Sequence, residues 1–125
     1  MIRIWKLKSD PYPVKIFLMQ SKNGKEARDY LAKRYKGMDV SDLCTTYANS
    51  FWFSRGENFR VFFIWISFFN ILNIKSVSYF GHELYHIVRD IMTYVGIKEL
   101  NDHEAGAYYF SYLFEQSLKK FRGKK

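Results

Sequence analysis

Ser76-Val77-Ser78-Tyr79-Phe80-Gly81-His82-Glu83-Leu84-Tyr85-His86-Ile87-Val88-Arg89-Asp90-Ile91-Met92-Thr93-Tyr94-Val95 decides how this chain reads. Val77, Phe80, Leu84, Ile87, Val88, Ile91, Met92 and Val95 recur at the spacing of one helical face, and Gly96 stands where a helix C-cap is wanted. On that helix His82 and His86 sit one turn apart on a common side, about 5–6 Å between Cβ atoms. Two imidazoles so placed reach one metal ion, and the adjacent Glu83 faces a water on it. H-E-x-x-H therefore marks His82 and His86 as candidate zinc ligands and Glu83 as a candidate general base. The plain alternative is an exposed helical turn that happens to carry two unrelated histidines.

Upstream of this helix, Val61 to Phe69 is strongly apolar. It is far shorter than the roughly 20 residues that cross a bilayer, and Asn70 and Asn73 end the apolar run, so it reads as a buried strand. Thr45–Ser54 and Asn58–Phe68 are β-rich runs separated by Arg55-Gly56-Glu57, a hairpin pattern. Pro11-Tyr12-Pro13 opens a first strand, Val14–Met19, which Ser21–Gly24 breaks. Lys25–Lys36 approximates a helical face through Tyr30, Leu31 and Tyr35, with Gly37 as its stop. Asn101-Asp102 caps a final helix running to about Phe121. The expected fold is α+β: a small, mostly antiparallel sheet of three or four strands, with the helices, including the histidine helix and the C-terminal helix, packed on one side. Residues 1–125 form one domain, with 119–125 as a basic, frayed tail.

The composition is consistent with a packed domain: 48% hydrophobic and 20% aromatic, enough to bury a large core from few residues. The net charge of +8 is concentrated in Lys22–Lys36 and in the tail from Lys119. Such a surface attracts nucleic acid, acidic peptides or an anionic membrane, although a solvated helix face is the plainer reading. No zinc-finger spacing, G-K-[ST] loop or RNA-binding aromatic signature accompanies it. Cys44 is the sole cysteine, which rules out an internal disulfide, and it reads as a small strand hydrophobe. Met1–Lys6 lacks the apolar core of a signal peptide. The chain is expected to carry no transmembrane segment and to be soluble where it is made.

A catalytic zinc usually has three protein ligands, and the downstream donor is Glu104, eighteen residues after His86. The helix from His86 to Gly96 travels about 15 Å. Ile97–Asn101, if extended, retraces about 16 Å. Glu104 can thus return to the histidines, or it closes a capping box with Asn101. His103 and Asp102 are competing donors. Asp90, one turn beyond His86, either orients the His86 ring or pairs with a cation. Tyr108, one turn beyond Glu104, either stabilises an oxyanion or fills the core.

His82–His86 with a downstream Glu resembles the gluzincin-like metallopeptidases. More narrowly, Tyr12-Pro13, the hairpin to Phe68, Tyr94-Val95-Gly96-Ile97 and Glu104-Ala105-Gly106-Ala107-Tyr108 resemble small phage-encoded zincin-like proteins. The resemblance implies a minimal zincin-like domain that holds Zn2+ through His82, His86 and Glu104, with Glu83 as base. It also implies a location in the cytoplasm of a bacterial host or in a phage virion. A zinc peptidase is one expectation, with the hairpin strand Asn58–Phe68 offering an edge to an extended peptide or protein substrate. The other is a virion structural or assembly protein that contacts other phage proteins through a zincin-like fold. About twenty residues after Glu104 are too few for a second subdomain, so the cleft is expected to be shallow or completed by a partner.

Overall fold

The computed structural model describes residues 1–56, 59–97 and 103–123, without the side chain of His103. The elements are β1 (Arg3–Leu7), β2 (Lys15–Gln20), α1 (Gly24–Arg34), β3 (Ala48–Ser54), β4 (Arg60–Ile66), α2 (Ile74–Tyr94) and α3 (His103–Phe121). Their order confirms the α+β class. The four strands form one mixed sheet ordered β1-β2-β4-β3. β1/β2 and β3/β4 are antiparallel, and β2/β4 is parallel.

β4 explains the sheet. Its residues are buried on both faces, which is why the run is apolar without alternation. Phe62, Ile64 and Ile66 pack with Ile16 and Leu18 against Phe80, Leu84, Ile87 and Ile91 of α2 and Leu113 of α3. Val61, Phe63 and Trp65 point the other way, with Met19 and Phe51, toward Ala27 and Leu31 of α1. Fully burying each such large side chain stabilises the fold by roughly 1.5–3 kcal/mol before entropy is counted.

Three sequence expectations change. The helices are not all on one side, because α1 covers the face opposite α2 and α3. The strand after the hairpin is not an edge: β4 lies between β2 and β3, so the free edge on this side belongs to β3. Cys44 is not in a strand. It occupies a bend before β3 with φ of 56°, and its N–H donates to Asn49 Oδ1 at 2.8 Å. An additional strand, β1, pairs from Arg3↔Gln20 to Leu7↔Ile16.

Helix ends follow their caps. Asn73 Oδ1 accepts from the N–H of Ser76 at 3.0 Å and opens α2 two residues earlier than the periodicity implied. At the other end Gly96 adopts φ of 87°, and Ile97 N–H donates to Met92 O at 2.9 Å, so the expected glycine stop is present. The return path Lys98–Asn101, its capping by Asn101 and Asp102, and the tail beyond Gly123 lie outside the described residues. No helix among the described residues is long and apolar enough to cross a membrane.

Candidate active site

α2 is amphipathic, and its buried stripe of Phe80, Leu84, Ile87, Val88 and Ile91 lies on the sheet. This turns His82 and His86 outward together, with Glu83 at the boundary between helix and sheet. His82 Nε2 and His86 Nε2 are 3.1 Å apart, with the rings nearly perpendicular. Two nitrogens bound tetrahedrally to one zinc at about 2.0–2.1 Å stand about 3.3–3.4 Å apart. The separation of the pair is thus close to the spacing that one ion would require.

Glu83 is the better-held member of the motif. Its side chain is 17% exposed against 67% for His82, and Oε2 lies 4.0 Å from His82 Nε2. Ser50 Oγ on β3 donates to Glu83 Oε1 at 2.8 Å. One carboxylate oxygen is thus anchored to the sheet, while the other is directed toward the histidines. A charge-assisted hydrogen bond of this kind fixes the carboxylate's orientation.

β3 runs beside α2 as the outer strand of the sheet. Its ladder register follows from the bonds beyond both ends: Ser67 N–H donates to Tyr47 O at 2.9 Å and Arg55 N–H to Phe59 O at 3.1 Å. In an antiparallel ladder alternate residues bond inward, so Tyr47, Asn49, Phe51, Phe53 and Arg55 pair with β4. The main-chain groups of Ala48, Ser50, Trp52 and Ser54 consequently face the open edge. The residue that holds Glu83 also offers its backbone to that edge.

Aromatic side chains mark both ends of this strip. Tyr47 stacks on Tyr79 at 5.5 Å with the planes 5° apart. At the other end the Arg60 guanidinium lies between Trp52, at 3.9 Å, and Tyr94, at 4.4 Å. Between α2 and α3 an apolar groove begins at Tyr85 and Arg89 and continues past Val88, Met92 and Phe110.

The other sequence candidates are placed differently. Glu104 is exposed on the first turn of α3. Among the described residues, no group of three or more His, Cys, Asp or Glu side chains stands close enough to hold a metal, so Glu104 is not assembled with the histidine pair. Asp102 and the side chain of His103 lie outside the described residues. Tyr108 is 72% exposed and shares a shallow depression with Pro11 and Tyr12. The core tyrosine of α3 is its neighbour Tyr109, which donates to Ser9 O at 2.8 Å. Asp90 is half-buried; burial raises its carboxyl pKa, against the opposing pull of His86, Arg60 and Arg89.

Ser50, the Tyr47–Tyr79 stack and the Trp52–Arg60–Tyr94 sandwich had no signature in the sequence. Only the packing of β3 against α2 brings Ser50 to Glu83, Tyr47 to Tyr79, and Trp52 to the Arg60–Tyr94 pair. No protein-family model matches the chain, and no curated protein or solved structure matches it.

Proposed function

We propose that the protein is a zinc-dependent hydrolase acting on peptide bonds. The observation that carries this reading is the coupling of an H-E-x-x-H helix to an open sheet edge through Ser50 and Glu83. His82 and His86 hold the ion in this proposal; Glu104, which stands apart from the pair in this structure, is the third ligand expected from the sequence. When bound, zinc lowers the pKa of a water and polarises the scissile carbonyl.

The chain's own residues do the rest. An extended peptide adds to the edge of β3 through the outward main-chain groups of Ser50 and Trp52. That pairing lays the peptide alongside Glu83, which is set by Ser50 at the same rung. Glu83 takes the proton of the attacking water on its free oxygen and passes it to the leaving amine, so the carboxylate is regenerated in each cycle. The aromatic groups at the ends of the strip enclose side chains flanking the cleaved bond.

The test compares zinc content and peptide cleavage, measured by mass spectrometry, in wild type, Glu83→Gln and Glu104→Ala. Glu83→Gln is expected to keep its zinc and lose about 10²–10⁴-fold in rate. Glu104→Ala is expected to weaken zinc retention. Zinc bound with cleavage unimpaired in Glu83→Gln refutes the hydrolase and favours a particle-assembly protein with a structural metal. Unchanged zinc affinity in Glu104→Ala removes Glu104 from the ligand set.

A further inference from the structure

The connection between β4 and α2 displays aliphatic side chains where none is needed for packing. Leu72 is 88% and Ile74 85% exposed, and Phe68 and Ile71 are also exposed. This is a built protrusion. Asn73 N–H donates to Asn70 O at 2.8 Å, and Leu72 N–H donates to Asn70 Oδ1 at 2.9 Å. Ser76 Oγ closes the turn from below, donating to Asn70 O at 2.9 Å. Phe69 anchors its base, stacked on Phe121 at 4.3 Å and set edge-on to Phe80 at 5.8 Å. Held in this way, Ile71 and Leu72 cannot fold back onto the core.

Cations ring the protrusion. Arg3 and Lys22 line one depression with Phe68, and Lys75 lines another. Lys119 and Arg122, both exposed, flank Phe121 at the end of α3. The chain segments that meet here, residues 1–5, 67–76 and 119–123, contain no Asp or Glu. The Glu26 carboxylate, which comes to this end from α1, is engaged by the amino group of Met1 at 2.8 Å.

We propose that this end of the molecule docks on an anionic lipid surface, with Phe68, Ile71, Leu72 and Ile74 entering the boundary between headgroups and acyl chains. Apolar tips with a collar of Lys and Arg match the two layers of a membrane interface, where the cations meet lipid phosphates. A nucleic acid would use the cations and leave the aliphatic tips in water. A protein partner would need a complementary groove, whereas a bilayer accepts any protruding apolar tip. The proposal does not depend on the hydrolase reading. It does place the Tyr47–Tyr79 end of the cleft beside the membrane, since both tyrosines line the depression shared by Phe68 and Lys75.

Co-sedimentation with unilamellar vesicles tests it, using phosphatidylcholine alone and phosphatidylcholine mixed equally with phosphatidylglycerol. Wild type should partition onto the mixed vesicles and much less onto the neutral ones, and added salt should weaken binding. The double variant Leu72→Ser with Ile74→Ser should keep its circular dichroism spectrum and bind about tenfold more weakly or worse. Lys75→Glu should also weaken binding about tenfold. Lys33→Glu, an equal change of charge on α1, should bind within about twofold of wild type. The proposal is overturned by failure to bind mixed vesicles at low salt, or by unchanged binding of the double serine variant. A loss with Lys33→Glu as large as with Lys75→Glu overturns it as well. So does a wild-type dimer in sedimentation velocity that the serine variant dissolves, because the protrusion would then serve a second copy of the chain.

Discussion

Ser50 shows how one residue ties the edge strand to Glu83 of the H-E-x-x-H helix. Removing its hydroxyl leaves Glu83 one orienting bond fewer. In the proposed hydrolase, Ser50→Ala should lower kcat about tenfold, in the range typical of groups that support a metal site, with KM and zinc content little changed. A loss of zinc alongside the rate would mean that Ser50 acts on the fold instead. Cys44 gives a second test at this scale, because burial pushes its thiol up to about 12. An unfolded thiol near pKa 8.5 is roughly a quarter ionised at pH 8, whereas the native one is ionised at about one part in ten thousand. Alkylation by iodoacetamide should therefore be negligible in the native protein and rapid in denaturant; equal rates would show the bend around Cys44 to be open. The histidines and Glu83 were legible in the sequence because their geometry is local to one helical turn. Ser50 was not, since its pairing spans 33 residues and depends on strand order.

Caps and close approaches decide stability at the scale of the elements. Asn73→Ala removes the side-chain bond to Ser76 N–H and should cost about 0.5–2 kcal/mol, read from urea unfolding. Gly24 opens α1 against the bend at Cys44, and a Cβ there would lie 1.6 Å from Cys44 O. Because the obstacle is backbone, Gly24→Ala should destabilise by about 1–3 kcal/mol, more than a helix-propensity gain returns. An unchanged urea midpoint would mean that the bend shifts freely. Helices were legible from their period, and their ends from Asn73 and Gly96. β1 escaped notice because it is five residues long, with Arg3 and Lys6 breaking its apolar side chains. The β4 run could be read as a strand but not placed, because an unbroken apolar run fits a central strand without saying which strands flank it. α1 shows only a weak apolar stripe, with Ala27 and Leu31 buried, so the face it covers emerged only from the packed sheet.

For the molecule as a whole, the core on the α2/α3 side should dominate unfolding. Phe62→Ala empties a fully buried site in the core on this side of the sheet, beside Tyr94 of α2, and should cost about 3–5 kcal/mol. If zinc is bound, its binding energy adds to this core by linkage. Chelator should then lower the wild-type Tm toward that of His86→Ala, while His86→Ala itself should not respond. Equal melting of the two proteins with and without chelator would show that the site contributes nothing to stability.

The clasp between β1 and α3 has a consequence for biosynthesis. Gln116 takes both main-chain groups of Lys8, at 2.8 and 2.9 Å, across 108 residues of sequence. Tyr109 holds the carbonyl of Ser9 across 100 residues. A ribosome adding 5–20 residues per second therefore leaves the first strand waiting on the order of 5–20 s for the helix that clasps it. Throughout that interval the α2 face of the sheet lacks Tyr109 and Leu113, so nascent chains should recruit holding chaperones until α3 clears the exit tunnel.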